Sequence, residues 1–501
     1  MDVTSVTPLF VLLAPVLGAA ATVALRDRPP ARELCGVAAG LAQLGLIATM
    51  IPVVLAGDTV SFTISAFLPE AEIGLRVDAL GLVLAGTSSV LWILTTIYTM
   101  GYLGTGPDRA LARFHVYFGL TIAATMGVAF SVNLLTLYLF YEALTIITYP
   151  LVTHSRTPEA AQGGKRYLGY QLGTGVALLL PAIVLTYTQA GTFDFVPGGV
   201  FGTDSGESML ILIYLLFLLG IAKAALLPVH AWLPAAMVAP VPVSALLHAV
   251  AVVNVGVFAV FRVIFDVFGT DLAVDLNLGT ITLAVTCVTI LATSLYALRL
   301  DNLKGILAYS TISQLSYMIL GVALLNEAGR TGGVLHLVGH AFSKITLFFA
   351  VGSVYLASHR TTVRELRGIG RRLPWTMGAL VVGALSIVGL PPTVGFISKY
   401  FLFLGAADAG QWLVLAVLAM STVLTGTYYL RIMQIALLEA VPAPALTGGV
   451  GDDPRLPRER RVTESPALIV GPLVVTAALT LLLGVAPGTL LELVRAAARV
   501  P

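Results

Sequence analysis

Charged residues are scarce in this chain. Only 11% of its 501 residues are Asp, Glu, Lys or Arg, whereas soluble globular domains carry about 25%. Hydrophobic residues make up 57% of the chain, and the mean hydropathy is +0.94. This balance excludes an ordinary soluble domain and predicts an all-α polytopic membrane protein, because helices satisfy their own backbone hydrogen bonds in lipid.

Cysteines and cofactor-binding motifs are almost missing as well. The two cysteines, Cys35 and Cys287, fall in separate apolar runs and form neither a disulfide framework nor a metal-ligand pattern. No Walker A, dinucleotide-binding or HExxH pattern occurs, and the longest polar stretch, 442–465, is too short for a soluble domain. We therefore expect no cofactor and no metal, and a driving force that comes from an ion gradient or from another subunit.

The apolar runs predict about 14 transmembrane helices, each of about 20 residues. No basic residue precedes the first run, so we expect a retained span and not a signal peptide. The predicted spans are 8–25, 34–56, 78–102, 112–132, 134–154, 166–190, 208–237, 241–265, 276–298, 303–325, 332–357, 374–405, 410–440 and 466–490.

The placement of Lys and Arg supports this count. Most of them follow odd-numbered spans, which predicts that those loops are cytoplasmic and that both termini are non-cytoplasmic. Such short, scattered basic loops do not indicate nucleic-acid binding. The opposite loops and the C-terminal tail hold only Arg76, Arg330, Arg495 and Arg499.

Spans 7 and 12 share an unusual pattern, in which prolines interrupt an apolar run that carries one lysine. Span 7 has Lys223 close to Pro228, and span 12 has Lys399 after Pro391 and Pro392. Lys223 could simply anchor a span end, but a break at Pro228 would place its ammonium near mid-membrane. Paired broken helices indicate transporter repeats, and because spans 7 and 12 are five apart, repeats over spans 4–8 and 9–13 must be inverted.

Glu142 lies near the centre of span 5, where a carboxylate is costly unless it is paired or protonated. Lys223 is its obvious partner. Burial favours the neutral form of both groups, whereas proximity favours the charged forms, so such a pair can change protonation when a nearby charge moves. The alternative is a static ion pair that fixes packing.

Span 11 carries His336, His340 and Lys344 at spacings of four residues, which places them on one helical face. Such a stripe suits proton hopping, because imidazole can accept and donate near neutral pH. Hydrogen-bonded structural histidines are an alternative interpretation. A metal site is a weaker one, because no further ligand on this span completes it.

Span 8 adds Ser244 and His248 at i and i+4, followed by Asn254. His248 is either a buried core residue or a further proton carrier. His230, next to Pro228, belongs to an access path or caps the broken helix. We treat His230, Ser244 and Asn254 as possible accessory residues.

Five features together resemble the antiporter-like subunits shared by respiratory complex I and Mrp-type cation/proton antiporters. They are Glu142 in span 5 and the stretches GIAKAALLPVHAWLPAAMVAPVPVSALLHA, DNLKGILAYSTISQLSYM, LHLVGHAFSKITLFF and GLPPTVGFISKY. They occur in the family's order and cover nearly the whole chain. The length near 500 residues and the lack of a long C-terminal extension make the D subunits of Mrp antiporters the most similar members.

The resemblance implies two inverted five-helix bundles and a hydrated polar axis at mid-membrane. It implies helices 1–3 at 1–105, half-channels at 106–267 and 268–440, and a cytoplasmic loop with helix 14 at 441–501. By motif, the proton pathway comprises Glu142, Lys223, His248, His336, His340, Lys344 and Lys399.

Asn254 and Lys304 lie in or beside matched stretches, but we do not expect either of them to carry protons. Many relatives carry a lysine on span 8, where this chain has Asn254, and an amide takes up no proton in this pH range. The step from Lys223 to span 11 would then rely on His248 and water. Lys304 lies in a matched stretch, but we expect it to be a cytoplasmic surface residue.

We expect a proton-translocating subunit of a multisubunit Na⁺/H⁺ antiporter in the cell membrane. Its partners would be other hydrophobic subunits, protons, sodium and the lipid bilayer, with no nucleic acid. The alternative is an ion-pumping subunit of a complex I-like NADH dehydrogenase or a membrane-bound hydrogenase. A third possibility is a non-conducting scaffold whose buried charges serve assembly.

Overall fold

The computed structural model describes residues 2–68, 71–104, 109–202, 206–439 and 462–499. In these ranges the chain forms eighteen helices and one small sheet. The first nine helices are α1 (Thr7–Ala24), α2 (Pro29–Leu55), α3 (Ala79–Leu103), α4 (Arg109–Ala129), α5 (Leu134–Val152), α6 (Pro158–Ala190), α7 (Glu207–Gly220), α8 (Val229–Val238) and α9 (Val241–Phe268).

The second nine helices complete the membrane part. They are α10 (Thr270–Asp275), α11 (Leu278–Arg299), α12 (Leu303–Ala323), α13 (Glu327–Ser358), α14 (Pro374–Val388), α15 (Val394–Asp408), α16 (Trp412–Leu438), α17 (Ala467–Val485) and α18 (Gly488–Ala498).

The predicted number of spans is confirmed within the described ranges. Twelve helices are long and apolar enough to cross a membrane. The pair α7 and α8 forms the broken span 7, and the pair α14 and α15 forms the broken span 12. The predicted basic loop with Arg455, Arg458, Arg460 and Arg461 lies outside the described residues.

A three-stranded sheet is a feature that the hydropathy pattern did not indicate. Strand β1 (Asp2–Thr4) pairs in parallel with β2 (Thr59–Leu68), which pairs antiparallel with β3 (Ala71–Val77). The sheet joins the N-terminus to the α2–α3 connection. Hydropathy misses it because these strands lie outside the apolar runs.

Loop contacts separate the two faces of the bundle. On one side, called the sheet face, Leu75 of β3 bridges to Ser131, and Asn133 bridges to Asp194. On the other side, called the basic face, the Leu303 N–H donates to the Thr361 carbonyl (2.9 Å). Among the described residues, the connections after spans 2, 4 and 6 therefore meet at the sheet face, and those after spans 9 and 11 meet at the basic face, in agreement with the alternation of the charge pattern.

The core lies at the centre of the bundle. Helices α9 and α13 are buried throughout their most apolar windows and α12 is nearly so, whereas α1, α2, α6 and α17 leave most of theirs uncovered by this chain. Since helices that are apolar on all sides must be covered, the inner three form the packed centre, and the outer ones present apolar faces that this chain leaves uncovered.

The sequence explains where both broken spans stop. Helix α7 ends at Gly220, a short 3₁₀ turn covers Ala222–Ala224, and Pro228 offers no N–H to continue a helix. Helix α14 ends at Gly389, whose φ of +92° is the left-handed conformation that glycine tolerates at helix C-termini. The sequence that specifies the two interruptions also places a lysine at or beside each.

Candidate functional site

Lys223 lies in the interruption of span 7 and is fully buried. Its ammonium donates to the Tyr141 carbonyl (3.0 Å) and to the Thr145 hydroxyl (2.6 Å), and lies 3.3 Å from the centre of the Tyr141 ring. The freed backbone groups of the turn are also satisfied, since Trp232 donates to the Ala222 carbonyl (2.8 Å). Polar groups of α5 and α8 therefore stabilise this break inside the bundle.

Glu142 lies on α5 beside this lysine, but the two are not in direct contact. No ion pair within 4.0 Å joins them among the described residues, and neither buried carboxylate oxygen has a hydrogen-bond partner there. Lys223 and Thr145 are its electrostatic neighbours. Glu142 and Lys223 are therefore close to each other, but the Thr145 hydroxyl, which accepts a hydrogen bond from Lys223, lies between them.

The carboxylate of Glu142 packs against a glycine of α6. A Cβ on Gly175 would overlap the Oε1 atom of Glu142 and lie 2.8 Å from its Cδ. Gly175 begins a π-helical turn, Gly175–Leu179, in which the Leu180 N–H donates to the Gly175 carbonyl. Because Gly175 has no side chain, the carboxylate of Glu142 can occupy this space.

Helix α9 contributes three predicted residues and a close backbone contact. A Cβ on Gly256 would lie 2.7 Å from the Cβ of Lys223, so the glycine lets α9 pack on the broken turn. Asn254 is fully buried and donates to the Ala249 carbonyl (2.8 Å), which leaves its Oδ1 unpartnered among the described residues. His248 is fully buried in a π-helical turn, and neither ring nitrogen has a described partner.

Helix α13 presents the three predicted groups of the central stripe, all buried. His336 contacts the Ser398 hydroxyl (2.9 Å) through Nδ1 and the Gln314 amide oxygen (3.0 Å) through Nε2. His340 makes no hydrogen bond to a described residue. Lys344 donates to the Ser310 hydroxyl (2.7 Å) and, at 3.3 Å, to the Leu307 carbonyl and the Tyr429 hydroxyl.

Helix α12 supplies partners to several of these groups. Ser310 accepts from Lys344, Gln314 contacts His336, and the Tyr317 ring lies 4.9 Å from the ammonium of Lys399. These residues recur at helical spacing, so one face of α12 is polar although the helix is buried. The arrangement aligns the groups of α13 and α15 along one neighbouring helix.

Lys399 lies on α15, beyond the second interruption, and is only 4% exposed. Its ammonium donates to the Val388 carbonyl (3.0 Å), which is the last residue of α14. The carbonyl end of a helix carries partial negative charge, so it favours a cation at this position.

The accessory residues are less closely connected. His230 is half-buried and its ring lies 6.5 Å from the Tyr309 ring, and Ser244 donates to the Ala239 carbonyl (3.4 Å). Lys304 differs from the expectation of a free surface residue, because its ammonium is partly buried and donates to the Ala239 carbonyl. It lines a cavity of about 440 Å³ near Arg360 at the basic face.

The predicted groups are electrostatic neighbours in overlapping sets. Glu142 interacts with Lys223, His248 with Lys344, His340 with His336, His248 and Lys344, and His336 with Lys399. No described interaction of this kind joins Lys223 to His248, which is the interval where Asn254 lies. The arrangement can hold protons on neighbouring groups inside an apolar bundle, with one interval that has no titratable side chain.

Sequence reasoning missed the hydroxyl and aromatic partners of the lysines. On α5, Tyr141 directly precedes Glu142 and Thr145 follows it by three residues. On α12, a polar stripe is formed by Ser310, Gln314 and Tyr317. Both patterns are visible in the sequence. They become informative only when the helices are known to be buried, because exposed polar residues at the same spacing would mean nothing.

Comparison with known proteins identifies the family. The family model described as "NADH:quinone oxidoreductase/Mrp antiporter, TM" matches residues 131–425. NADH-quinone oxidoreductase subunit N of Desulforudis audaxviator is 32% identical over 482 residues, which is 93% of each chain. NADH-quinone oxidoreductase subunit L of Mycobacterium tuberculosis is 33% identical over 394 residues, which is 75% of this chain but only 60% of that longer protein.

Solved structures share the fold. A chain of the Mrp complex from Dietzia sp. DQ12-45-1b superposes with a TM-score of 0.86 at 24% identity, covering 98% of this chain and 96% of that one. A chain of the membrane-bound sulfane sulfur reductase, an archaeal respiratory membrane complex, gives a TM-score of 0.84 at 24% identity, with coverage of 99% and 97%. The fold and the family suggested by the sequence motifs are confirmed, and this chain belongs to the NADH:quinone oxidoreductase/Mrp antiporter transmembrane family.

Proposed function

We propose that this chain is the proton-translocating subunit of a multisubunit monovalent cation (Na⁺)/H⁺ antiporter. The observation that carries the proposal is the burial of three lysines and three histidines inside an apolar bundle. Lys344, Lys399 and the three histidines form overlapping sets of electrostatic neighbours, and Lys223 lies beside Glu142. Buried ionisable groups are costly in a membrane, so their accumulation on one set of packed helices favours a role in moving charge.

In the proposed route, protons enter near Glu142 and Lys223 and leave by Lys399. Between these ends they pass His248 and the α13 groups His336, His340 and Lys344, with water bridging the interval at Asn254. Ring nitrogens without described partners on His248 and His340 support this role, because such nitrogens can still accept and donate protons.

The two interrupted spans support an arrangement of two half-channels. We infer that spans 4–8 and 9–13 are inverted five-helix repeats, corresponding to residues 106–267 and 268–440. A lysine at or beside each interruption is the feature that such repeats share here. Sodium exchange would be coupled to the proton route through hydrophobic partner subunits in the cell membrane, with both termini of this chain on the non-cytoplasmic side.

Neutral substitutions test the proposal directly. Lys223→Ala and Glu142→Ala should abolish Na⁺-dependent proton flux in everted vesicles that contain the assembled complex. Lys165→Ala, an exposed lysine near the start of α6, is the matched control and should transport normally. Full transport by either inner variant, with normal assembly, would contradict the route.

A complex I-like pumping subunit is the second candidate. The 32% identity to an NADH-quinone oxidoreductase subunit N over 93% of both chains favours it. Purification with native partners separates the two possibilities. Copurifying flavin or iron–sulfur proteins and NADH-dependent pumping would favour the redox complex, whereas small hydrophobic partners without cofactors would favour the antiporter.

A further inference from the structure

The cavity of about 440 Å³ at the basic face contains no residue of the proposed proton route. Its wall includes Leu103 at the end of α3, Val241 at the start of α9 and Lys304 in the first turn of α12. Arg360, in the connection between α13 and α14, lines it as well. Because the ends of spanning helices mark the edge of the apolar layer, the cavity lies at the level of lipid headgroups.

The cavity carries positive charge without a compensating acid. Lys304 and Arg360 line it, and none of its described lining residues is Asp or Glu. Arg364, Arg367 and Arg431 lie near the same face, and each makes an ion pair of 2.8–3.7 Å with a carboxylate. Among the described residues, no such pair includes Lys304 or Arg360. A cleft lined by charges of one sign concentrates counter-ions, so the arrangement favours an anionic ligand.

Both cations keep hydrogen-bond donors for such a ligand. The Lys304 ammonium donates one of its three N–H groups to the carbonyl of Ala239, which itself lines the cavity. This bond holds the charged group at the wall and leaves two N–H groups. The Arg360 guanidinium makes no hydrogen bond to another residue in the described part of the chain. Its planar set of N–H groups matches the oxygens of a phosphate.

Backbone hydrogen bonds fix the loop that carries Arg360. Glu365 is an electrostatic neighbour of Arg360, but its carboxylate already accepts from two backbone N–H groups of its own loop, at 2.9 Å each. The Leu303 N–H donates to the Thr361 carbonyl (2.9 Å), which joins this loop to the start of α12. The two cations are therefore held at one cavity before any ligand binds.

Neutral groups make the rest of the wall suitable for a lipid headgroup. The side chains of Ser155, Tyr355 and Thr361 line the cavity, and phosphate oxygens accept hydrogen bonds from such hydroxyls. Val238 and Val351 add apolar surface beside them. This mixture suits the phosphate of a phospholipid together with its glycerol and first acyl carbons, whereas a free ion would gain nothing from the apolar part.

We propose that this cavity binds the phosphate group of an anionic molecule, with the Lys304 ammonium and the Arg360 guanidinium as its cationic partners. The phosphate belongs to a phospholipid headgroup or to free phosphate, and the apolar wall at the end of the spans favours an anionic phospholipid. The inference concerns a ligand site, goes beyond the proposed transport function and does not depend on it.

Binding of phosphatidylglycerol to the purified, delipidated complete complex tests the proposal. Native mass spectrometry across a lipid titration measures the affinity of each bound lipid. Lys304→Gln combined with Arg360→Gln should weaken one binding event about 30-fold, because each cation near an anionic headgroup contributes about fivefold. Glutamine keeps an N–H donor for the Ala239 carbonyl, so the wall is preserved.

A matched control removes two charges elsewhere. Lys165→Gln combined with Arg364→Gln deletes two exposed cations that do not line the cavity, and it should bind phosphatidylglycerol like the native complex. Native affinity in the Lys304→Gln, Arg360→Gln variant, or an equal loss in the control variant, would overturn the proposal.

A bulky side chain tests whether the lipid enters the cavity. Ser155 is exposed and lines it, so Ser155→Trp occupies part of the space and leaves both cations in place. We expect binding to weaken about tenfold. Gln162→Trp, at an exposed position of α6 outside the cavity, is the control and should bind normally. Unchanged affinity in Ser155→Trp would refute the placement.

Competition distinguishes the two sources of phosphate. If a phospholipid is the ligand, millimolar inorganic phosphate leaves phosphatidylglycerol bound, and phosphatidylcholine, which has no net charge, binds more weakly. Displacement by inorganic phosphate would instead assign the same two cations to free phosphate. Equal affinities for phosphatidylglycerol and phosphatidylcholine would contradict a charge-selective site. None of these measurements uses flux, so their failure leaves the proposed function standing, and normal transport by Lys223→Ala leaves this site standing.

Discussion

The two interrupted spans hold their lysines in different ways. Lys223 lies within the interruption and is bonded to a carbonyl and a hydroxyl of α5, with Glu142 as an electrostatic neighbour. Lys399 lies within α15, past the interruption, and bonds to the carbonyl that ends α14. Lys223 therefore has a carboxyl group as its electrostatic neighbour, whereas Lys399 bonds to a fixed helix end and has the imidazole of His336 as its neighbour.

This difference separates two chemical roles. A neighbour that can itself gain or lose a proton lets the charge on Lys223 depend on events outside the lysine. A helix C-terminus has a constant partial charge, so the environment of Lys399 changes only when its other neighbours change. The proposed route assigns proton uptake to the first site and release to the second, in keeping with these environments.

The largest effect on proton flux is expected when Lys223 is replaced, and replacing Lys399 should have a smaller one. Lys223→Met should lower proton flux about 100-fold, corresponding to about 2.7 kcal/mol, because it also leaves Glu142 without a cation nearby. Lys399→Met should cost about tenfold, since it leaves only a backbone carbonyl unpartnered. Flux in everted vesicles, normalised to assembled complex, measures both, and equal losses would remove the distinction between the sites.

A smaller effect is expected from the glycine beside Glu142. Gly175→Ala should lower flux about tenfold, because the added methyl group overlaps the carboxylate and forces it to move. Glu142→Asp shortens the acid and should restore much of the flux in the Gly175→Ala background. Gly173→Ala on the same helix is the control, and a loss that Glu142→Asp leaves unrelieved would indicate general damage to α6.

Removing one hydroxyl partner from Lys223 in span 7 or from Lys344 in α13 should lower proton flux less. Thr145→Val and Ser310→Ala each delete a partner of Lys223 or Lys344, while other acceptors remain. We expect about a three- to tenfold loss of flux, which corresponds to about 0.7–1.4 kcal/mol, within the range for one hydrogen bond. Val388→Ala keeps the carbonyl that binds Lys399 and should transport normally, so a loss there would mean that its side chain matters.

The smallest effect on flux is expected at the sheet face, where Arg262 forms ion pairs with two carboxylates. Arg262, in the last two turns of α9, bonds Asp78 (2.6 and 2.8 Å) and, one turn further along the helix, Asp266 (2.9 Å). Burial opposes ionisation of Asp78, yet Arg262 and the Gly81 N–H hold its pKa below the ordinary value of 3.8. Its stabilising contribution is therefore present above pH 3.8 and is lost as the pH falls through the lowered pKa.

Asp78→Asn should change stability and not flux. It removes one ionised partner of a buried guanidinium, so the free energy of unfolding should fall by about 1–3 kcal/mol, less than for a pair that loses its only partner. Thermal unfolding of the detergent-solubilised complex at pH 7 and below the lowered pKa of Asp78 measures this, with the difference from the native protein shrinking in acid. A loss of flux at full assembly would connect this network to transport.

Much of this molecule could be predicted from its sequence, for identifiable reasons. Apolar runs and alternating basic loops specified the spans, and prolines beside Lys223 and Lys399 specified the two interruptions. The start of α6 at Pro158 was placed eight residues late, because its first turns are polar and are begun by a Thr157 cap and not by hydropathy.

Side-chain contacts were harder to anticipate than helices. Proximity of Glu142 and Lys223 was predicted, but the hydroxyl of Thr145 that lies between them was not, because contacts between helices depend on register and rotation. A polar residue on an outer helix acquires meaning only when the structure shows that it is fully enclosed and without a partner.

The uninterrupted length of α13 sets a constraint on timing. Its 32 residues extend about 48 Å without a break. The backbone positions of His336, His340 and Lys344 therefore keep fixed distances from one another. No bend within the helix can bring one of them closer to a neighbour while leaving the others in place. In the proposed route, we therefore expect the order in which these groups gain and lose charge to be set by the broken span 12, which packs against α13.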